Sequence, residues 1–393
     1  MPRTSPAATG AALPGALPEA RRSLAPDLAR GLMLLIIATV HAHQFRIATT
    51  GEGYALTGPL DIAVTAVMAL VAENRGYPMF AALFGYGLAR MYHRRTAAGI
   101  QWPEIRSLLR RRGWCLVLIG LGHTALLFFG DVIAVYGVIA IVYVAAVRFG
   151  DRKLLTHALV WMVLGSLVYT VLSALFFSSA SSSEPVTDPL TDMVVRVAVL
   201  PVFVPLLITI SVFPFMIGIW AARRRMLENR GEHLALLRKV ACWGIGLGVL
   251  GGVPAALIDV EVWQPGQAAD LGVSWLHLLT GYAGGFGYAA AIALIGRRVG
   301  ERSDRPAGPV VTALAATGQR SMTSYLLQSL AWAILVPPYA LGLGSSLTDT
   351  QAVGIGIGVW LVTVLLAELQ RRAGFRQGPA EWLLRRMTYG SRT

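Results

Sequence analysis

The sequence predicts an all-α polytopic transmembrane helix bundle, and three observations carry that reading. Of the 393 residues, 55% are hydrophobic and 14% charged, whereas soluble domains are charged at roughly a quarter of their positions. The apolar residues fall in runs close to the ~20 residues that a helix needs to cross a hydrocarbon layer of ~30 Å. The arginines cluster in short segments between those runs, where basic residues face the cytoplasm. The net charge of +13 is therefore assigned to loops and lipid head groups, not to nucleic acid. Cys115 and Cys242 lie in apolar runs, too few and too hydrophobic in setting for a disulfide framework or a zinc site.

Residues 1–20, rich in Ala and Pro without an apolar period, are expected to be a disordered cytoplasmic tail, and 21–393 a single transmembrane domain. The first span, Leu24–Ile47, follows Arg21 and Arg22. Tyr54–Ala72 is also apolar, but if it crossed, the dense arginines of Arg90–Arg112 would face outward. It is expected to lie on the outer side as an interfacial helix. Nine further spans follow at Tyr77–Tyr92, Gly113–Phe129, Val132–Arg148, Leu154–Phe177, Val197–Ala221, Val240–Ile258, Val273–Ile295, Val310–Val336 and Ala352–Leu369. About ten spans result, with both termini cytoplasmic and the chain in the plasma (inner) membrane. The tail FRQGPAEWLLRRMTYG is expected to form an amphipathic helix on the inner surface.

The chemistry begins on the first span. Ten residues separate Arg30 from His41, so eleven helical steps of about 16 Å return to within about 20° of one face. Ionisable groups at such depth are costly and mark a bundle interior. Asp27, three positions before Arg30, is its expected structural partner. Arg112 and His123 repeat the gap on another span. An imidazole suits a general base or an acyl carrier near neutral pH. Glu73 and Asp131, expected on the outer side with His41 and His123, are the candidates to orient it, while His43 is expected at the surface. Arg110, Arg111, Arg112 and Arg385, at expected inner helix ends, suit a phosphate-bearing cosubstrate through forked hydrogen bonds. The His and Asp positions spread across helices and form no metal-ligand motif. The plainer reading of the same residues is an interfacial histidine and arginines that set topology.

The strings PDLARGLMLLIIATVH, MFAALFGYGLA, RRRGWCLVLIGLGHTALLFFGDVIAVYG, GQRSMTSYLLQS and GPAEWLLRRMTY resemble, in order, the blocks of the YeiB-like family, catalogued as domain of unknown function 418. The resemblance covers about 23–389, with the C-terminal family block at about 240–389. Gln319 stands where that family usually has Arg, Ser324 where it often has Asn, and His41 where many members have Asn. The resemblance further implies a distant relation to the acyltransferase-3 and heparan-glucosaminide acetyltransferase-like membrane enzymes. It implies acyl-CoA as cosubstrate and a small-molecule, glycan or lipid acceptor reached from the extracytoplasmic side. A transporter or exporter of a small molecule is the alternative, since polar groups inside a bundle also line substrate paths.

Overall fold

The computed structural model describes residues 24–50, 53–180, 186–227, 232–301 and 308–390; the expected tail at 1–20 lies outside them. Among the described residues the chain is all-α, without strands. In order, the helices are α1 (Leu24–Thr50), α2 (Pro59–Val71), α3 (Gly76–Ala97), α4 (Trp102–Leu126) and α5 (Val132–Val142). Then come α6 (Asp151–Val160), α7 (Ser166–Ala180), α8 (Pro189–Arg223), α9 (Leu234–Asp259) and α10 (Gln267–Glu301). The last four are α11 (Pro309–Gln319), α12 (Ser321–Leu335), α13 (Asp349–Arg372) and α14 (Pro379–Tyr389).

Their starts are written in the sequence. Prolines occupy the first turn of α2, α4, α8, α11 and α14, where a missing N–H costs nothing. Asp131 and Asp188 cap α5 and α8 through Ala134 N and Thr191 N. Thr348 and Gln351 form a capping box at α13.

Six helical stretches are long and apolar enough to cross a membrane: Leu24–Ile47, Asp151–Phe176, Pro189–Arg223, Leu234–Asp259, Gln267–Val299 and Asp349–Arg372. The chain is thus a polytopic bundle, and six stretches rather than ten meet that standard. The second of them joins α6 to α7 through a π turn at Trp161–Gly165. The other four expected spans fall on α3, α4, α5 and the α11–α12 pair. On α3 and α4 the arginines at 90–112 continue the helices, leaving a connection at 98–101 in place of the expected basic loop. Arginine is a good helix former, so charge does not stop a helix. The stretch expected as Val132–Arg148 is an α-helix of 11 residues followed by a 3₁₀ turn. At 13 residues, α2 reaches only about 20 Å, too short to cross.

The stretch expected as one span at Val310–Val336 is broken at Arg320 between α11 and α12. The break lies beside a close helix–helix approach. A methyl group on Gly318 would collide with the Asp27 carbonyl of α1, so only glycine permits this approach. The buried Arg320 guanidinium then donates to the Ala316 and Phe375 carbonyls, satisfying backbone groups near the interrupted turn.

At the centre stands α1, which contributes to three of the four apolar clusters of the interior: Met33 beside Met79, Leu34 beside Tyr325, and Phe45 beside Trp332. Of its spanning window 61% is buried, against 17% for Asp151–Phe176. Leucines such as Leu159, Leu164 and Leu172 point outward on that peripheral stretch, as a lipid-facing surface requires. Against α4 and α12, α14 buries Ala380, Leu384 and Thr388, exposing Trp382, Leu383, Arg385 and Arg386.

Candidate functional site

Two cavities lie along α1 and share a wall. The first, about 220 Å³, is lined by Arg30, Arg112, Gln319, Ser321 and Glu381 among others. The second, about 260 Å³, is lined by His41, Gln44, Asn74, Tyr77, Phe128 and Ser211 among others. Phe80, Val132, Tyr136 and Tyr325 line both. We refer to them as the arginine chamber and the histidine chamber.

The equal gaps on α1 and α4 bring like with like. Arg30 and Arg112 meet in the arginine chamber. Both imidazoles flank Tyr325, whose ring centroid lies 5.8 Å from that of His41 and 5.1 Å from that of His123. Arg30 Nη1 stands 3.5 Å from Asp27 Oδ1, a long contact that partly offsets its burial. Arg112 has no acidic partner among the described residues. Glu381 shares the chamber, but its carboxylate is engaged by α12. Oε1 accepts from Met322 N (2.7 Å) and Thr323 N (3.1 Å), and Oε2 accepts from Thr323 Oγ1 (2.6 Å). An anion on the first amides of a helix is a stable arrangement.

At the other end, His41 is buried and its Nδ1 has no hydrogen-bond partner. Its ring packs on Phe128 at 4.7 Å. His123 Nδ1 lies 2.8 Å from Asp131 Oδ1, both side chains being fully covered. A carboxylate can only accept, so Nδ1 carries the proton and Nε2 is left as an acceptor. That Nε2 has no partner, nor does the Tyr136 hydroxyl. The same Asp131 caps α5 through Oδ2, which fixes the carboxylate that fixes the ring.

The remaining candidates lie elsewhere. Arg111 is exposed and donates to the Met387 carbonyl (3.1 Å), joining α4 to α14. Arg110 is half-buried and Arg385 exposed, and neither lines a chamber. Glu73 also lines neither, although its neighbours Ala72 and Asn74 line the histidine chamber. It accepts from Tyr54 Oη (3.0 Å), and Tyr54 stacks on His43 at 4.0 Å. Expected at the surface, His43 is instead largely covered, with Nδ1 3.0 Å from Asp349 Oδ1. Asp349 also accepts from Ala55 N and stands 3.7 Å from Arg46. Burial pushes the Glu73 carboxyl above its usual range, against the opposing effects of His43 and the Tyr54 hydroxyl. Glu73 therefore belongs to a latch joining α1, α2 and α13, and of the two expected acids it is Asp131 that reaches an imidazole, that of His123.

Sequence reasoning missed the four shared wall residues, Glu381 and the His43–Asp349 pair. The last two partners stand 306 residues apart in the chain, so no local pattern links them. Tyr325 lies within the quoted string GQRSMTSYLLQS, and that block was its only signal. The arrangement as a whole can hold an anion at one end and exchange a proton at the other.

Residues 221–391 match the family model "Protein of unknown function (DUF418)", a region that supplies Gln319, Tyr325 and Glu381. The chain is 26% identical to Uncharacterized protein YeiB of Escherichia coli (strain K12) over 390 residues, covering 93% of this chain and 96% of that protein. It is 23% identical to Uncharacterized protein YxaH of Bacillus subtilis (strain 168) over 355 residues, covering 84% of this chain and 83% of that one. No solved structure matches. The findings thus support a YeiB-like DUF418 relationship, carried by the family match at 221–391 and by the likeness to YeiB and YxaH over most of the chain.

Proposed function

We propose that the protein is an integral-membrane acyltransferase, taking an acyl group from cytosolic acyl-CoA and placing it on an acceptor reached from the extracytoplasmic side. The carrying observation is the pair of chambers divided by Phe80, Val132, Tyr136 and Tyr325, with two arginines lining one and the His41 imidazole lining the other. An unpaired guanidinium in a cavity calls for an anion, and Arg112 supplies it. In this reading Arg30 and Arg112 hold phosphate of the CoA, while Arg110, Arg111 and Arg385 steer its adenosine end. Both termini then face the cytoplasm of a cell whose inner membrane holds the bundle.

The thioester is brought to the shared wall. His41 removes the proton from the acceptor hydroxyl or amine as its lone pair attacks the thioester carbonyl. The C–S bond breaks as the tetrahedral intermediate collapses, and the departing thiolate takes the proton from His41. His123, held by Asp131, places a second proton acceptor beside Tyr325 and keeps the dividing wall polar.

One observation favours transport instead: the α11–α12 break presents the start of α12 to the arginine chamber, as discontinuous helices do at transporter substrate sites. The two readings separate in one preparation. Purified protein with radiolabelled acetyl-CoA is expected to bind CoA and release labelled product or acylated histidine. No CoA binding, with flux of a small anion in liposomes, would replace the enzyme by a transporter.

A further inference from the structure

We propose that the ligand of the histidine chamber is an uncharged alcohol with a hydrophobic body. The inference rests on the acyl-transfer reading only for the ligand's role as acceptor. Among the described residues no Lys, Arg, Asp or Glu side chain lines this chamber, whereas two guanidiniums and a carboxylate line its neighbour. A charged ligand would lose its hydration here without gaining a counter-charge, a cost of several kcal/mol. Its walls are mostly hydrocarbon, with Ile36, Val40, Phe129, Phe203 and Leu207 among them.

Polar groups stand among them, Asn74 and Ser211 included. Buried His41 Nδ1 and the hydroxyls of Tyr77, Tyr136 and Tyr325 lack partners, and all four residues line the chamber. An imidazole nitrogen and a phenol suit a ligand hydroxyl, one as proton acceptor and the other as donor. A polyol with hydroxyls all round would leave most of them against hydrocarbon, each unmet group opposing binding. Exposed Gln44 also lines the chamber, so a polar end at that rim is tolerated while the body is buried. An uncharged alcohol on an apolar frame therefore suits the chamber, and a charged ligand or a polyol with hydroxyls all round does not.

Equilibrium binding to nanodisc-embedded protein tests this, with radiolabelled phenylpropanol as the probe. Glucose, glucosamine and glycerol phosphate serve as competitors. Saturable binding is expected, weakened at least about tenfold by Val40→Trp, which fills the chamber, and retained by Val40→Ala. The competitors are expected to be at least about tenfold weaker than the probe. Binding unaffected by Val40→Trp in a protein whose thermal unfolding is unchanged would overturn the proposal, as would preferential binding of glucosamine, glycerol phosphate or glucose. Transfer from labelled acetyl-CoA is read in parallel. Probe binding with no transfer and no CoA binding sinks the acyltransferase alone, and CoA binding without a Val40-sensitive probe site sinks the chamber assignment alone.

Discussion

The arginine and histidine chambers use the same central helix and the same four-residue wall, yet among the described residues one is cationic and the other carries no fixed charge. The difference comes from what closes each. The arginine chamber is completed by the α11–α12 break and by α14, which bring backbone amides and Glu381. The histidine chamber is completed by α7 and α8 through Tyr169, Phe203, Leu207 and Ile210. Polarity therefore runs along the axis of α1. A ligand spanning both chambers would meet guanidiniums at one end and a largely apolar wall at the other.

The widest gap between the chambers is expected in kinetics. His41→Ala should lower kcat for acyl transfer by about 10²–10⁴, the usual worth of a general base, with CoA affinity unchanged. Equal kcat in the variant would remove His41 from the chemistry. Arg112→Ala should do the reverse, raising KM for acyl-CoA by about 10–100-fold through loss of a charge-assisted contact while kcat holds. A kcat loss with unchanged KM would mean that the two ends are not separate. Between them, Asp131→Asn keeps a cap oxygen for α5 but cannot hold His123 as a carboxylate does. A fall in kcat of about tenfold is expected, with a shifted pH–rate profile and no change in Tm; an unchanged profile would make the His123–Asp131 pair structural.

Smaller effects sharpen the contrast in stability. Glu381→Ala leaves two α12 amides without their carboxylate and should cost about 1–2 kcal/mol, read as a fall in Tm; an unchanged Tm would mean that water replaces the cap fully. The smallest effect concerns the latch beside the histidine chamber. Burial raises the Glu73 carboxyl, so the folded state holds its proton to higher pH than the unfolded chain. Its contribution is fully present below the unfolded value and declines as pH rises through the folded one. Glu73→Gln should therefore match the parent in acid and exceed its Tm by about 2 °C near pH 8. A constant difference across pH would show that folding leaves the Glu73 carboxyl unshifted.

Much of the frame was legible because it rests on short-range rules. The limits of the span on α1 and the amphipathic α14 follow from apolar period and charge placement. The single run assumed for 310–336 failed because nothing within that window reveals that Gly318 must lie on the carbonyl of Asp27. Likewise, the partner of His43 lies on α13, and a lone imidazole two residues from His41 gives no local hint of it.

By itself the sequence determined the membrane class, the helical segments and the placement of an arginine and a histidine eleven steps apart on one face, because helix geometry and hydropathy act locally along the chain. The tertiary structure alone decided that α1 and α4 align their like residues, that Asp131 rather than Glu73 holds an imidazole, and that Tyr325 stands between the chambers. Those outcomes depend on which faces of distant helices meet, and close packing between remote segments settles that only when the whole bundle is assembled.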